Sequence, residues 1–504
     1  MKKNTILLIL GLLLLHVVAF SLMPLPDPSE ARYATIAQQM VESGNYIMPQ
    51  IWIKGELIPF MSKPPLAFWI MAGSIKIFGM NEFAVRLPAF IASLFLLGII
   101  FWVLNKTRGR YVATVAVLIT ATSGGFYLLS GAVLVDMWLC LFSIGALFIY
   151  YLFIHEPELK LKKIYSLLVF ILLAGAFLTK GPVGIIFFGL PVFFWTLLSN
   201  RWDTLKYHAW FLGLTLFLLL VIPWFVLAEQ STPGYLHYFF INENFMRFVS
   251  SNKSLDLYSG ISHKMPLGMA IIYAIVVTLP WCVIQLIFYS IKKGQSTAFF
   301  SAAKQGWRKS RIACFKRKSA DFDLFLVGLI SITLFWSISS HIMLYYMLLI
   351  IPLFATWSAT LFDKYKFPYM KIVNLTILLL VIYLLAMIPV YFILDAKKST
   401  RAITLRALEY RQTHQLSGKL IFVRRLAYSA YFYGGNLIVP HGKESIEQSL
   451  TRQTTANNAP ANDLYLISKR YTKRIPTALQ AAFTTVYQGE NWHIMMRKRS
   501  EHDE

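Results

Sequence analysis

Asp27-Pro28-Ser29-Glu30-Ala31-Arg32-Tyr33, followed further along by Ser62-Lys63-Pro64-Pro65-Leu66, marks a short polar island over residues 27–66. It lies between apolar runs of the length that crosses a bilayer. Ionisable side chains beside a hydrocarbon core are costly, and where they persist they point to function. Acids and bases held at a lipid surface suit chemistry on a substrate that is itself half lipid.

Outward from the island, the chain has 504 residues, 57% of them hydrophobic and only 14% charged. Its mean hydropathy is +0.57. A soluble domain of this size would expose more charge, so the composition predicts an all-α polytopic membrane protein. The first run, Ile6–Leu25, follows Lys2-Lys3, lacks a small-residue cleavage site and ends in Pro24-Leu25-Pro26-Asp27. It reads as a retained span rather than a signal peptide. Ten further spans are expected near 82–104, 112–130, 134–154, 164–180, 182–199, 209–229, 266–291, 322–340, 343–362 and 372–395. That makes eleven, in a range of about 11–13.

The formal charge of +24 would suggest nucleic acid in a soluble protein. With the N-terminus inside, however, much of the basic charge falls in cytoplasmic loops, among it Lys106, Arg108 and Arg110; Lys160, Lys162 and Lys163; and the nine basic residues from Lys292 to Lys318, while the opposite-side loops before residue 396 hold about nine. This is the positive-inside pattern, and no nucleic-acid partner is expected. Cys140, Cys282 and Cys314 are too scattered for a disulfide framework or a metal site.

Two domains are expected, a transmembrane one over 1–395 and a small α/β one over 396–504. The second alternates β-like runs (Lys419–Arg424, Asn436–Pro440, Asp463–Ser468) with a helix-like one (Arg401–Gln415), and 454–463 reads as a loop. Within the first outer loop, 26–81, residues 28–43 place Tyr33, Ile36, Met40 and Val41 on one face and Gln38, Gln39 and Glu42 opposite, with Gly44 as a stop. Pro64–Phe78 reads as a second interfacial helix with prolines in its first turn.

Each candidate side chain has a plainer alternative. Asp27-Pro28-Ser29-Glu30 is a capping box, with Asp27 at the N-cap and Glu30 at N3, although capping by Asp27 leaves Glu30 or Arg32 free for a cavity. Asp136 is a lone acid at the outer end of a span and is either half exposed or held by a partner from another loop. Lys63 and Lys180 each precede a proline-marked helix start; they suit a phosphate or simple snorkelling, and Arg247 strengthens the anion-site reading. His341, Tyr345 and Tyr346 fall where aromatic belts form. No nucleotide-binding or serine-nucleophile pattern lies in a sensible context.

The ordered set resembles a known family. Asp27–Tyr33, Lys63-Pro64-Pro65-Leu66, Asn81–Pro88, Leu134-Val135-Asp136-Met137, Leu178–Gly184, Asn242–Phe248 and Ser339–Tyr346 are together similar to the bacterial protein-mannosyltransferase-like glycosyltransferases of GT-C fold, which include lipid A aminoarabinose transferases. The similarity runs from about residue 20 to 360, with Phe422–Tyr433 resembling the family's outer domain.

The resemblance implies transfer of a sugar from an undecaprenyl-phosphate donor to a periplasmic acceptor, with 4-amino-4-deoxy-L-arabinose and lipid A as the pair and protein O-mannosylation as a variant. It implies Glu30, Asp27 and Asp136 as catalytic acids; Lys63, Lys180, Arg247 and Arg32 on the donor phosphate; and Tyr33, His341, Tyr345 and Tyr346 around the substrate. The family's zinc-associated positions fall on Ser62-Lys63 and Glu243-Asn244, where both usual ligands are replaced, so no zinc and no other cofactor is expected. The expected setting is a monomer in the bacterial inner membrane, with its site facing the periplasm and its N-terminus in the cytoplasm. A lipid-linked sugar flippase is the competing class, but it needs a polar path through the membrane centre, whereas these ionisable residues cluster at one face.

Overall fold

The computed structural model describes residues 3–53, 56–246, 258, 265–294, 323–339, 341–423, 427–439, 462–472, 475 and 483–497. Arg247, Cys314, the basic loop beyond residue 294 and the loop over 454–461 lie outside the described residues. The chain forms two compact units: one from Met1–Phe60, Phe68–Leu87 and Tyr383–Glu504, the other from Met61–Ala67 and Pro88–Ile382.

In hydrocarbon every backbone polar group must be satisfied within its own segment, so apolar runs become helices. Seven described helices are long and apolar enough to cross a membrane: Glu82–Thr107, Asp136–His155, Leu159–Lys180, Pro182–Ser199, Trp210–Ser231, Leu344–Lys364 and Tyr369–Lys397. A bent pair, Met269–Thr278 and Trp281–Ile291, makes an eighth, and Leu7–Leu22, Leu66–Phe78, Arg110–Thr122 and Leu324–Ile338 are shorter apolar helices. Burial sorts them. Asp136–His155 is 89% buried, whereas Trp210–Ser231, the more apolar of the two, is 28% buried and turns most of its surface outward.

Two expected spans are broken, and the breaks meet in the second unit. The segment expected over 112–130 stops at Thr122 and restarts at Gly124, and the one expected over 266–291 turns by 86° at Leu279-Pro280. Pro280 has no N–H and cannot continue a helix. The Leu279 carbonyl accepts from the Gly124 N–H (2.8 Å), and the Trp281 indole N–H donates to the Thr122 hydroxyl (3.0 Å). A Cβ on Gly125 would lie 2.7 Å from the Val277 Cβ and 3.1 Å from its Cα. Each corner therefore satisfies the polar groups that the other exposes.

In the first unit, Ser29–Ser43 is a helix closed by Gly44 at φ +69, a left-handed position suited to glycine. Gln38, expected on the polar face, is buried; its amide donates to Glu42 (2.8 Å) and to the Tyr431 carbonyl (3.4 Å). The sequence reading missed the hairpin that follows, β1 (Gln50–Ile53) against β2 (Glu56–Pro59). Trp52 of β1 stacks on Tyr431, with ring planes 4° apart.

The later part of this unit carries a five-stranded sheet in the order β4-β3-β5-β7-β6: β3 Leu420–Phe422, β4 Ile438–Val439, β5 Leu464–Ser468, β6 Phe483–Gln488 and β7 Trp492–Arg497. The first three strands are parallel, and the unforeseen β6–β7 hairpin adds antiparallel neighbours. Alternation along β3 and β5 sends Leu420, Phe422, Leu464 and Leu466 to one core and Ile421, Tyr465 and Ile467 to the other.

The paired corners generate a stability prediction. Gly125→Val should overpack the Val277 contact and cost about 1–3 kcal/mol, read as a lower melting temperature and lower folded yield in detergent. Gly98→Val, at a position with open space around it, should change neither.

Candidate functional site

The second unit gathers most of the expected site residues. Leu159–Lys180 ends on a lysine; Gly181 then turns at φ +74, with Phe239 so close that a Cβ would sit 2.5 Å from its ring, and Pro182 opens the next helix. Only glycine meets both demands. The corner holds Lys180 opposite Asp136, the first residue of its own helix, and their Nζ and Oδ1 atoms are 2.6 Å apart. An acid at a helix N-terminus and a base at a C-terminus both sit with the backbone dipoles. Asp136 is buried, so the lone acid does have a partner from another loop.

Lys63 is held in the same manner. Its Nζ lies 2.5 Å from Glu243 Oε1 and donates to the Ser62 carbonyl (2.8 Å) and hydroxyl (3.0 Å). The Ser62 hydroxyl donates in turn to Glu243 (2.7 Å). Glu243, which the sequence reading noticed only as part of a substituted zinc position, is therefore the lysine's carboxylate. Its signal was present, as the lone acid in Asn242-Glu243-Asn244, but its partner lies 180 residues away.

Both lysines line one cavity of about 390 Å³ with Glu243, His341, Trp336 and Tyr346. The Lys180 Nζ sits 4.3 Å from the Tyr346 ring centroid, a cation–π contact, and Tyr346 stacks on Trp336 at 4.8 Å. Ile186, Phe240 and Phe335 supply apolar wall. Tyr345 is no part of this lining: its ring meets Tyr346 edge-on and its hydroxyl donates to the Met343 sulfur. Among the described residues no three His, Cys, Asp or Glu side chains converge as metal ligands. The Lys63 ammonium sits against Glu243 within this lining.

The first-loop residues belong to the first unit and are engaged there. The expected capping box does not form. The helix starts at Ser29 with Pro28 in the capping position, and the Asp27 carboxylate accepts from the Ser429 backbone N–H (3.2 Å) and hydroxyl. Glu30 pairs with Arg86 (3.2 Å), which also donates to the carbonyls of Phe20 (3.1 Å), Met23 (2.5 Å) and Pro24 (3.3 Å). Long-range donors outcompete the local cap because they satisfy charged groups that would otherwise be buried alone.

Arg32 lies 5.2 Å from the Tyr33 ring centroid. Tyr33 is buried in a ring cluster with Phe60 (6.5 Å) and Phe68 (5.6 Å), so its role here is packing. Glu82 accepts from the Tyr433 hydroxyl (3.1 Å) and pairs with Arg401 (3.0 Å). Burial, reinforced by the Glu82 charge, pushes the Tyr433 phenol up.

Two neutralised lysines in a greasy cavity can do specific chemistry. They can receive an anionic group, and they can absorb charge as a phosphate departs. The aromatic pair offers a face to a sugar ring.

Comparison with known proteins gives resemblances in sequence and in fold. Residues 7–239 match the family model described as dolichyl-phosphate-mannose-protein mannosyltransferase. Curated relatives named undecaprenyl phosphate-alpha-4-amino-4-deoxy-L-arabinose arabinosyl transferase include one from Edwardsiella ictaluri, 27% identical over 52% of this chain and 47% of its own, and one from Shewanella sediminis, 27% identical over 53% and 47%. The chain thus spans about half the length of these relatives. Crystal structures of ArnT from Cupriavidus metallidurans share the fold: the form bound to undecaprenyl phosphate aligns with a TM-score of 0.69, 17% identity and 98% of both chains, and the apo form with 0.70, 17% and 97%. Over its first half the chain is similar in sequence to these transferases, and along nearly its whole length it has the fold of the ArnT structures.

Proposed function

We propose that the chain is an integral membrane glycosyltransferase that moves a sugar from an undecaprenyl-phosphate donor to a periplasmic acceptor, with 4-amino-4-deoxy-L-arabinose and lipid A as the pair. The observation that carries this reading is the second-unit cavity, where Lys63 and Lys180 stand beside apolar walls. Lys63 and Lys180 receive the donor phosphate and stabilise it as it leaves. Asp136 and Glu243 position those lysines. Trp336 and Tyr346 seat the sugar, with His341 at the cavity wall. Glu30 is the candidate base for the acceptor. The polyprenyl tail stays in the bilayer, which replaces a nucleotide-binding domain. We place the cavity and residues 396–504 on the periplasmic side of the inner membrane, with the N-terminus in the cytoplasm and the monomer as the working unit. Arg247 remains a further donor-phosphate candidate.

The direct test is the protein in nanodiscs with undecaprenyl-phosphate aminoarabinose and lipid A. A lipid A mass increase of one aminoarabinose unit is expected; no product with any lipid-phosphate sugar would overturn the reading. Transfer from a mannosyl donor to protein would instead support the second reading, which the mannosyltransferase family match favours.

A mutant cycle separates charge pairing from chemistry. Lys180→Met alone strands buried Asp136 and should cost about 3–5 kcal/mol of stability. Adding Asp136→Asn should restore most of the melting temperature, because the uncompensated charge is gone. Turnover should stay low in both, down by about one to two orders of magnitude for a lost charge-assisted phosphate contact. Recovery of turnover along with stability would reduce Lys180 to a structural role.

Glu30→Gln leaves the buried Arg86 with its three backbone carbonyls and a neutral acceptor, so it should lower the melting temperature, and turnover is to be compared per folded protein. Loss of a base should lower turnover by about 10²–10⁴-fold. Full activity would confine Glu30 to anchoring Arg86.

A further inference from the structure

A second cavity, of about 640 Å³, lies in the first unit, and its charged lining is Lys397, Lys398, Lys469, Arg470, Asp27 and Glu490. Four cations against two carboxylates leave a net charge of +2 on the walls (4 − 2). Asp27 is already occupied by the Ser429 hydroxyl and backbone N–H. None of the four cations has an ion-pair partner among the described residues, although Arg401 and Arg406 of the same unit are paired with Glu82 and Glu409. Uncompensated like charge around one cavity raises the local concentration of anions.

The construction also favours a ligand. Lys397 ends the apolar helix Tyr369–Lys397 and Lys398 follows it, and snorkelling alone would account for those two. Lys469 and Arg470 come from a different part of the chain, directly after β5. They are brought to the same place by two bonds through Asn491: the Lys469 N–H donates to its carbonyl (2.9 Å), and its side-chain amide donates to the Ala396 carbonyl (3.0 Å). Ser399 and Thr400 add hydroxyls to the wall, and Trp492 adds an indole face.

We propose that this cavity is a binding site for the phosphate groups of an anionic saccharide headgroup, with Arg470 and the three lysines as its phosphate ligands and Trp492 against the sugar. Guanidinium and ammonium groups both recognise phosphate, the first by paired hydrogen bonds. The inference does not depend on the transfer reaction, because binding is read without donor; the failure of either leaves the other standing.

The test uses the full chain in phosphatidylcholine nanodiscs carrying a small fraction of bisphosphorylated lipid A, with bound lipid A counted by native mass spectrometry. Lys469→Gln with Arg470→Gln, and separately Lys397→Gln with Lys398→Gln, should each lower occupancy about tenfold or more, as expected for losing charge-assisted contacts. Lys469→Arg with Arg470→Lys should retain it, which a merely structural role of these side chains would not require. Inorganic pyrophosphate should displace lipid A. Binding of pyrophosphate that the double variants abolish, with lipid A ignored, would keep the phosphate site and assign it a soluble ligand. Wild-type occupancy of both probes in both double variants would overturn the proposal.

Discussion

The geometry of this protein depends on one constraint: a lysine largely withdrawn from solvent must be neutralised. An uncompensated buried charge costs several kcal/mol, so each lysine of the cavity carries its own carboxylate, Lys180 with Asp136 and Lys63 with Glu243. The folding follows from that need. Gly181 makes the tight corner that aims Lys180, and Ser62 fills the remaining hydrogen bonds of Lys63 and Glu243. Under the proposed function, a phosphate entering the cavity would meet cations already held in place by their carboxylates.

The same logic explains the first unit. Arg86 is buried and collects Glu30 and three carbonyls at the end of the first apolar helix. Glu82 is shared by Tyr433 and Arg401. These clusters tie the first loop to the later sheet-bearing segment of that unit, with Asp27 bonded to Ser429 across 402 residues of sequence.

Long apolar segments were legible in the sequence because hydropathy and backbone satisfaction act locally, and the helices Glu82–Thr107, Asp136–His155 and Pro182–Ser199 lie where the runs lie. The breaks at Ser123 and Leu279 were not read, although Gly124-Gly125 and Pro280 were in view; each makes sense only against the other. The capping box failed for a related reason. Its local bonds were plausible, yet Ser429 and Arg86 offered better partners from far along the chain. Lys63, Lys180, His341 and Tyr346, singled out by residue type and position, line one cavity and Asp136 pairs with Lys180, whereas Glu243 and Trp336 join them only by three-dimensional proximity. The β6–β7 hairpin was missed because Thr484, Thr485 and Gln488 give no clear apolar alternation.

The central claim, that the paired lysines form a phosphate site for a lipid, is tested most directly by comparing the affinity of the protein for undecaprenyl phosphate and for undecaprenol. The two ligands share a tail and differ only in the phosphate. The account predicts that the phosphate tightens binding by about a hundredfold or more, two charge-assisted contacts each contributing roughly 1.5–3 kcal/mol before the cost of giving up their carboxylates. It also predicts that Lys63→Met combined with Lys180→Met, made alongside Glu243→Gln and Asp136→Asn to keep the cavity neutral, removes that preference. Equal binding of the two lipids by the unaltered protein, or a preference that survives in the neutral cavity, would contradict it.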